Sequence, residues 1–327
     1  MFKSKTKYTW EGWDSSGRED WVFSVKHPCE LIGVHAKLID KELKESEKIE
    51  YCIYAPRVSS TSTPFGLSSE ESSCGVCVTD NRFIVTKNRH IKGIEPTLAS
   101  VDFKDILYLN IGSALLLSWV SITYVRDGKL KHLPILFGSN GRHHFEKALR
   151  SYKKYCLSIN ADEFSLDTFS ASAFIHKISD NIHRNHLKTL ISQNERLILT
   201  FSCQYLWHKN IEKKSFFRKS RESYAASKAT ALLTSKALLI ARNGLEASVG
   251  NCTDVLNIAL DKVSSLFLLE DKAGDSVIHK LRISFTKEID TMEISLMSLD
   301  EKAEIFLNNI QSFLDNTKQK EESNDRI

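Results

Sequence analysis

The stretch VTDNRFIV, residues 78–85, decides the fold prediction for this chain. Asp80 and Asn81 separate two runs that are rich in β-branched and aromatic residues. An Asp-Asn pair in that setting is typical of a tight turn between two strands. The run before the turn begins at Gly75 and the run after it ends at Val85, so the sequence predicts a β-hairpin over these residues.

The order of elements around this hairpin recurs in the second half of the chain. Apolar residues at helical spacing lead into a strand, a hairpin follows, and then comes a strand with a charged break. The aligned pairs are residues 31–54 with 175–201, Thr79 with Thr234, and residues 101–106 with 258–263. Each copy then ends in an amphipathic helical pattern, over residues 145–155 and 299–314. Recurrence in the same order indicates two copies of one domain.

Residues 78–85 resemble the hydrophobic-Thr-Asp-x-Arg-hydrophobic hairpin of bacterial pleckstrin-homology-like (PH-like) domains. Several strands followed by one helix is also the order of that family. The resemblance covers residues 30–157, and the second copy, residues 171–315, departs from the motif at Ser235, Lys236 and Ala237. It implies an α+β, mainly β fold: two PH-like β-barrels, each capped by a C-terminal helix. It also implies a binding module, because members of the family bind phosphoinositides, other anions or proteins.

We therefore expect five segments along the chain. Trp10, Trp13 and Trp21 mark a Trp-rich N-terminal segment, which we expect to be pinned onto the first barrel. The polar C-terminal residues are predicted to be disordered. The expected segments are the N-terminal segment 1–28, the first PH-like domain 29–157, a linker 158–172, the second PH-like domain 173–315 and the tail 316–327.

Composition narrows the class of protein further. Of the 327 residues, 42% are hydrophobic and 26% are charged, which is typical of a globular protein. The longest apolar run, Ile111–Ile122, is too short to span a bilayer, and the N-terminus lacks the apolar core of a secretion signal. The seven cysteines are an odd number and most lie in strand-like runs, which predicts free buried thiols and a cytoplasmic location, at most peripheral to the inner face of the membrane.

One basic segment, residues 208–228, carries a net charge of +5, although the whole chain carries only +4. Basic side chains that converge from a loop bind phosphate oxygens, and aromatic residues beside them suit a membrane interface. We predict that this segment binds anionic lipid headgroups or polyphosphates. The predicted anion-binding residues are Lys209, Lys213, Lys214, Arg218, Lys219, Arg221 and Lys228, and the predicted membrane-contact residues are Trp207, Phe216 and Phe217.

The corresponding loop of the first copy, residues 58–73, is chemically opposite. It holds nine Ser and Thr residues, Glu70 and Glu71, and no Lys or Arg. We predict that the first domain presents a protein-interaction surface, with a plain surface loop as the alternative. A protein-interaction scaffold without lipid binding remains an alternative for the whole chain. Two further alternatives remain. In one, the basic loop is solvated and has no specific ligand; in the other, the chain binds nucleic acid, with Phe216 and Phe217 stacked on bases.

No pattern in the chain indicates catalysis or a metal. Common motifs for hydrolases, zinc peptidases, P-loops and dinucleotide sites are absent, so the sequence predicts no catalytic residues, no metal site and no cofactor. An enzyme stays open, since a catalytic triad is assembled by the fold. Cys74 and Cys77 lie three apart on a strand, where they point to opposite faces. His183 and His186 are interpreted as part of a solvated helix face, with a metal site as the alternative.

Overall fold

The computed structural model describes the following residues: 21–58, 72–89, 93–114, 116–156, 169–170, 175–192, 195–209, 223–244, 252–273, 276–286, 291–297, 299, 301, 304, 305 and 307. The chain divides into two units, Met1–Cys156 and Leu157–Ile327. In the described part of the chain no helix is long and apolar enough to cross a membrane.

The described residues of the first unit form eight antiparallel strands and two α-helices. The strands are β1 (Phe23–Val25), β2 (Ile49–Ala55), β3 (Ser73–Thr79), β4 (Arg82–Asn88), β5 (Thr97–Asp102), β6 (Ile106–Ala114), β7 (Leu117–Arg126) and β8 (Lys129–Gly138). The helices are α1 (Val34–Glu42) and α2 (Arg142–Lys154). Strands β1 to β5 pair in sequence order, and β6, β7 and β8 pair in a second ladder.

In the second unit the described residues form eight strands and the helix α3 (Asn181–Leu190). Its strands are β9 (Phe169–Ser170), β10 (Arg196–Lys209), β11 (Ser223–Thr234), β12 (Ala237–Asn243), β13 (Cys252–Ala259), β14 (Val263–Ala273), β15 (Ser276–Phe285) and β16 (Thr291–Met297). The strand order is β14-β15-β16-β10-β11-β12-β13, and β9 pairs with β10. The predicted strands of the second copy are confirmed over 276–285 and 291–297.

The predicted pair of helix-capped β-barrels is wrong. Among the described residues the strands form open antiparallel sheets and no closed barrel. The physical reason in the first unit is that, among the described residues, no hydrogen-bonded ladder joins the β1–β5 sheet to strands β6–β8. At the predicted charged break in residues 101–106, a short 3-10 helix, Phe103–Asp105, separates β5 from β6. Helix α2 follows β8 and buries Phe145 and Leu149, but the predicted second closing helix, 299–314, lies largely outside the described residues.

The predicted hairpin is confirmed, and its turn is built identically in both units. Thr79 Oγ1 accepts the backbone N–H of Asn81 and of Arg82 at 3.1 Å each. Thr234 Oγ1 accepts the corresponding N–H groups of Lys236 and Ala237 at 3.3 and 3.1 Å. A hydroxyl that satisfies two turn N–H groups fixes the turn, which explains why threonine stands at both positions.

A buried histidine joins the helix to this hairpin in each unit. His35 on α1 and His183 on α3 are 2% and 1% exposed. His35 Nδ1 lies 2.8 Å from Thr86 Oγ1, and its Nε2 lies 2.9 Å from Ser73 Oγ. His183 Nδ1 lies 2.9 Å from Thr230 Oγ1, and its Nε2 lies 3.0 Å from Asn243 Oδ1. The two units thus share one framework in their interiors.

Candidate functional site

The structure describes only part of the predicted anion-binding set. Trp207 and Lys209 lie on the last residues of β10, and Lys228 lies on β11 opposite Gln204. The described backbone leaves β10 at Lys209 and re-enters the sheet at Ser223, so the remaining predicted residues belong to the connection between these strands. Those residues lie outside the described part of the chain: Lys213, Lys214, Phe216, Phe217, Arg218, Lys219 and Arg221.

The hairpin that bears this connection is much longer than its counterpart in the first unit. Strands β10 and β11 have 14 and 12 residues, whereas β2 and β3 have 7 each. The extra stretch Gln204–Lys209 pairs with residues 223–228 throughout. At about 3.4 Å per residue it carries the hairpin about 20 Å farther. The basic segment is thereby joined to a continuous, hydrogen-bonded ribbon.

A buried ion pair supports the base of this ribbon. Arg242 Nε donates to Asp254 Oδ1 at 2.7 Å, and Arg242 Nη2 donates to Oδ2 at 2.9 Å. The guanidinium carbon lies 4.5 Å from the ring centroid of Tyr205, the residue at which β10 also pairs with Leu296 of β16. Cation–π stacking and a two-pronged ion pair together hold the tyrosine, and with it the start of the extension.

The electrostatic environment of the Arg242–Asp254 pair is that of a buried ion pair. Burial acts to lower the pKa of Arg242, but the Asp254 carboxylate and Tyr205 override that effect, so the pKa lies above its ordinary value. Both side chains are nearly inaccessible, at 7% exposed for Arg242 and 1% for Asp254. The pair therefore serves as a brace, in which each side chain meets an oppositely charged partner.

The first unit has a cavity where the second has this brace. Lys87 and Thr97 face each other across β4 and β5, as Arg242 and Asp254 do across β12 and β13. A cavity of about 380 Å³ lies beside Lys87 and Thr97. Its lining includes charged side chains and apolar ones: Lys87, Arg89, Glu95, Val85, Ala99 and Leu133.

The arginine of the hairpin motif has a structural role. Arg82 Nε donates to Glu47 Oε1 at 2.6 Å, and Arg82 Nη1 donates to Glu42 Oε1 at 2.9 Å. The side chain of Arg82 is only 7% exposed. Burial acts to raise the pKa of Glu47, but the hydrogen bonds from Arg82 and from the Lys44 backbone, together with the charges of these two residues, outweigh it, and the pKa lies below its ordinary value. This arginine ties the hairpin to the last residue of α1 and to Glu47, which follows the helix.

The histidine prediction is wrong for one of the two residues. His183 is a buried core residue with hydrogen bonds to two strands, so it does not belong to a solvated face. Cys74 and Cys77 are both buried, and Cys77 lies opposite Cys52 on β2, with 3.5 Å between the two sulfur atoms. Within the described ranges, no three His, Cys, Asp or Glu side chains are grouped so that they could hold a metal ion.

Sequence reasoning missed the residues of the brace and of the cavity. A signal for the brace was present, because Arg242 and Asp254 are the charged residues of two largely apolar strands, and each stands at the position aligned with Lys87 or Thr97. No family model matches this chain. A search of curated proteins also found no match. The assignment of a function therefore depends on the residues themselves.

Proposed function

We propose that the chain binds anionic lipid headgroups through the basic segment between β10 and β11. The observation that carries the proposal is that a segment of net charge +5 is joined to a hairpin that extends beyond its counterpart in the first unit. A basic segment that is joined to an extended ribbon is suited to contact with a broad anionic surface. This placement favours a surface as the ligand.

The binding step is electrostatic, with an interfacial contribution from aromatic rings. Each Lys or Arg near an anionic bilayer is worth about 1 kcal/mol, so the segment supplies several kcal/mol at low salt. Trp207, Phe216 and Phe217 would lie at the headgroup level, where aromatic side chains are favourable. The interaction weakens with salt because the Debye length falls to about 8 Å at physiological ionic strength. In this proposal the protein works in the cytoplasm, at the inner face of the membrane.

The first unit would present a protein partner with its own surface in this arrangement. Its loop 58–73, the counterpart of the basic segment, lies mostly outside the described residues and stays a prediction. The likeness of residues 78–85 to PH-like hairpins is consistent with a targeting module. The proposed targeting role does not depend on a closed barrel.

Co-sedimentation with liposomes tests the proposal. The full chain is mixed with phosphatidylcholine vesicles, with and without phosphatidylserine, at two salt concentrations. We expect binding only to the anionic vesicles, and less at high salt. The variant Lys213→Glu/Lys214→Glu/Arg218→Glu should bind at least about 100-fold more weakly, since three favourable charges of about 1 kcal/mol each are lost.

A matched control changes the same charge elsewhere. Arg126, Lys129 and Lys131 are exposed residues around the β7–β8 turn of the first unit, and their triple change to Glu should leave most of the binding intact. If both triple variants lose binding equally, net charge alone acts and the segment is not the site. Soluble polyphosphate that binds while vesicles do not would overturn the lipid assignment. Binding to single-stranded nucleic acid in place of vesicles would also overturn the lipid assignment, and so would binding to neither vesicles nor polyphosphate.

A further inference from the structure

We propose that one edge of β10 binds a short extended peptide that carries an aromatic side chain. The proposal concerns a different part of the second unit from the basic segment and does not rest on it. Strand β10 pairs with β11 along one edge. On its other edge it pairs with β9 at Arg196 and Leu197, and with β16 at Gln204 and Tyr205. Among the described strands, none pairs with this edge over the residues between, 198–203.

The first unit shows what such an edge can hold. There, β1 pairs with residues 52–54 on the corresponding edge of β2. A register shift precedes both edges, after Ile49 in β2 and after Leu197 in β10. Counted from this shift, residues 200–202 take the place of residues 52–54. An open strand edge presents backbone N–H and C=O groups, and another extended chain is the ligand that pairs with them.

A cavity of about 260 Å³ adjoins the open edge. Its lining includes three consecutive residues of β10, Thr200, Phe201 and Ser202, together with Thr230 of β11 and residues 177–179, which precede α3. Successive side chains of a strand point to opposite faces, so a cavity that touches three in a row lies beside the strand edge. The cavity therefore lies next to the backbone groups with which a peptide would pair.

The cavity takes the place of an aromatic ring of the first unit. The residue that corresponds to Ser202 is Tyr54, which is 4% exposed and whose ring centroid lies 5.2 Å from that of Phe23 on β1. His35 packs against the same tyrosine, with 5.7 Å between the ring centroids. The second unit keeps the buried histidine, His183, but has an exposed serine at the tyrosine position. A small side chain in place of a large one leaves space, and an aromatic side chain of a peptide would fill it.

The size of the site limits the class of occupant. Drug-sized ligands occupy cavities of roughly 300–1,000 Å³, so a cavity of about 260 Å³ suits a single side chain. The open edge spans about 20 Å at 3.4 Å per residue. A contact of that length is small beside the roughly 1,200–2,000 Å² of a stable protein–protein interface. These limits favour a short peptide of a partner protein, bound transiently, over a constitutive dimer of the chain.

Calorimetric titration of the full chain with a synthetic peptide tests the proposal. The probe is VFSVK, blocked at both ends, which has the sequence of residues 22–26 and contains β1 with one aromatic residue. We expect saturable binding with one site per chain. The peptide VASVK should bind about tenfold more weakly or worse, since the burial of the ring is lost. The peptide VFPPK, which lacks two backbone donors, should not bind.

Each probe has an outcome that contradicts the proposal. Equal affinity for VFSVK and VASVK would overturn the aromatic assignment. Equal affinity for VFSVK and VFPPK would mean that the strand edge is not used, and no binding of VFSVK would overturn the site. A dimer of the chain that VFSVK dissociates would assign the edge to a second copy and overturn the assignment to a partner peptide.

A substitution and a crosslink locate the peptide. Ser202→Trp fills the cavity from within, so VFSVK and VASVK should then differ in affinity by less than about threefold. Ser46→Trp, at an exposed serine that does not line the cavity, is the matched control and should keep the full difference. VFSVK with benzoylphenylalanine in place of Phe should crosslink to residues 177–179, 200–202 or 230, even if Ser202→Trp folds poorly. Crosslinks confined to other residues would contradict the proposal.

The two proposals fail separately. The triple variant of the basic segment, Lys213→Glu/Lys214→Glu/Arg218→Glu, should bind VFSVK with unchanged affinity. Loss of VFSVK binding in that variant would place the peptide on the basic segment and overturn the assignment to the strand edge. Vesicle binding by Ser202→Trp should likewise match that of the unchanged chain.

Discussion

The same register position is closed in one unit and open in the other. In the second unit, Arg242 and Asp254 form a buried pair across β12 and β13, and the arginine stacks on Tyr205. In the first unit, Lys87 and Thr97 occupy the aligned positions on β4 and β5, beside a cavity of about 380 Å³. The framework around them is shared, as the buried histidines and turn threonines indicate. The two units therefore share a framework but have different side chains and different surroundings at this position.

This difference between the two units corresponds to the length of the hairpin next to the position. The closed pair lies at the base of a ribbon of 14- and 12-residue strands. Strands β2 and β3 have only 7 residues each and leave no extension to brace. A long two-stranded ribbon is marginally stable by itself, so its anchoring residues have to be well packed. Without such a ribbon, the first unit can keep a cavity at this position.

The largest expected effect comes from breaking the closed pair. Asp254→Asn keeps the shape of the side chain but removes the carboxylate, so the buried charge of Arg242 loses its counter-charge. We expect the second unit to lose about 3–5 kcal/mol of unfolding free energy, measured by urea denaturation. The double change Arg242→Met/Asp254→Leu should recover most of that loss, because no buried charge remains.

The control for this change is the aligned position of the first unit. Thr97→Val alters an exposed side chain and should change the unfolding free energy by less than about 0.5 kcal/mol. Hydrogen exchange should assign the loss in Asp254→Asn to strands β10–β13. A loss below about 1 kcal/mol in Asp254→Asn would mean that water reaches the pair, and the contrast between the units would then be weak.

A smaller effect tests whether the shared framework is equivalent in the two units. The hydroxyl that meets the histidine Nδ1 is on β4 in the first unit, at Thr86, and on β11 in the second, at Thr230. Thr86→Ala and Thr230→Ala each leave a buried ring nitrogen without that hydroxyl, so each should cost about 1–3 kcal/mol. Urea denaturation measures both, with Ser121→Ala on β7 as the control. A cost in only one unit would contradict the equivalence.

The repeat could be predicted from sequence because it depends on local patterns. The turn residues around Thr79 and Thr234 signal a hairpin by themselves, and the spacing between the copies aligns the rest. Closure of a barrel could not be predicted, since it depends on which strand edges meet and not on alternation within a strand. His183 was missed for a similar reason. Its burial is set by Thr230 and Asn243, although the alignment with His35, 148 positions earlier, was available as a signal.

The candidate sites were predictable only in part. A run of basic residues can be counted in the sequence, so the segment between β10 and β11 was identified from charge alone. The cavity at Lys87 could not be identified in this way, because its lining combines residues of β4, of β5 and of the distant strand β8. Cross-strand register, which pairs Lys87 with Thr97, is needed to bring these residues together.

The smallest expected effect is a pH dependence that belongs to the first unit. Burial, together with the positive charges of His143 and Lys147, lowers the pKa of His144 on α2 from 6.5 to about 4. The unfolded chain takes up this proton as the pH falls below 6.5, while the folded unit resists until about pH 4. The stability that the neutral ring of His144 contributes is therefore fully present above pH 6.5 and is lost as the pH falls from 6.5 to about 4. Solvent screening should keep the loss below about 1 kcal/mol, since the residue is only partly buried.

His144→Gln should flatten the pH dependence of the unfolding free energy of the first unit between pH 6.5 and 5. The comparison stops at pH 5 because Glu47 and Glu50, whose pKa values lie below the ordinary 4.5, stay charged down to that pH. Protection of α2 against hydrogen exchange, compared at the two pH values, measures the change. His132→Gln on β8 is the control, because it alters an exposed ring of the same unit. If His132→Gln flattened the dependence and His144→Gln did not, the pH sensitivity would not come from the buried face of α2.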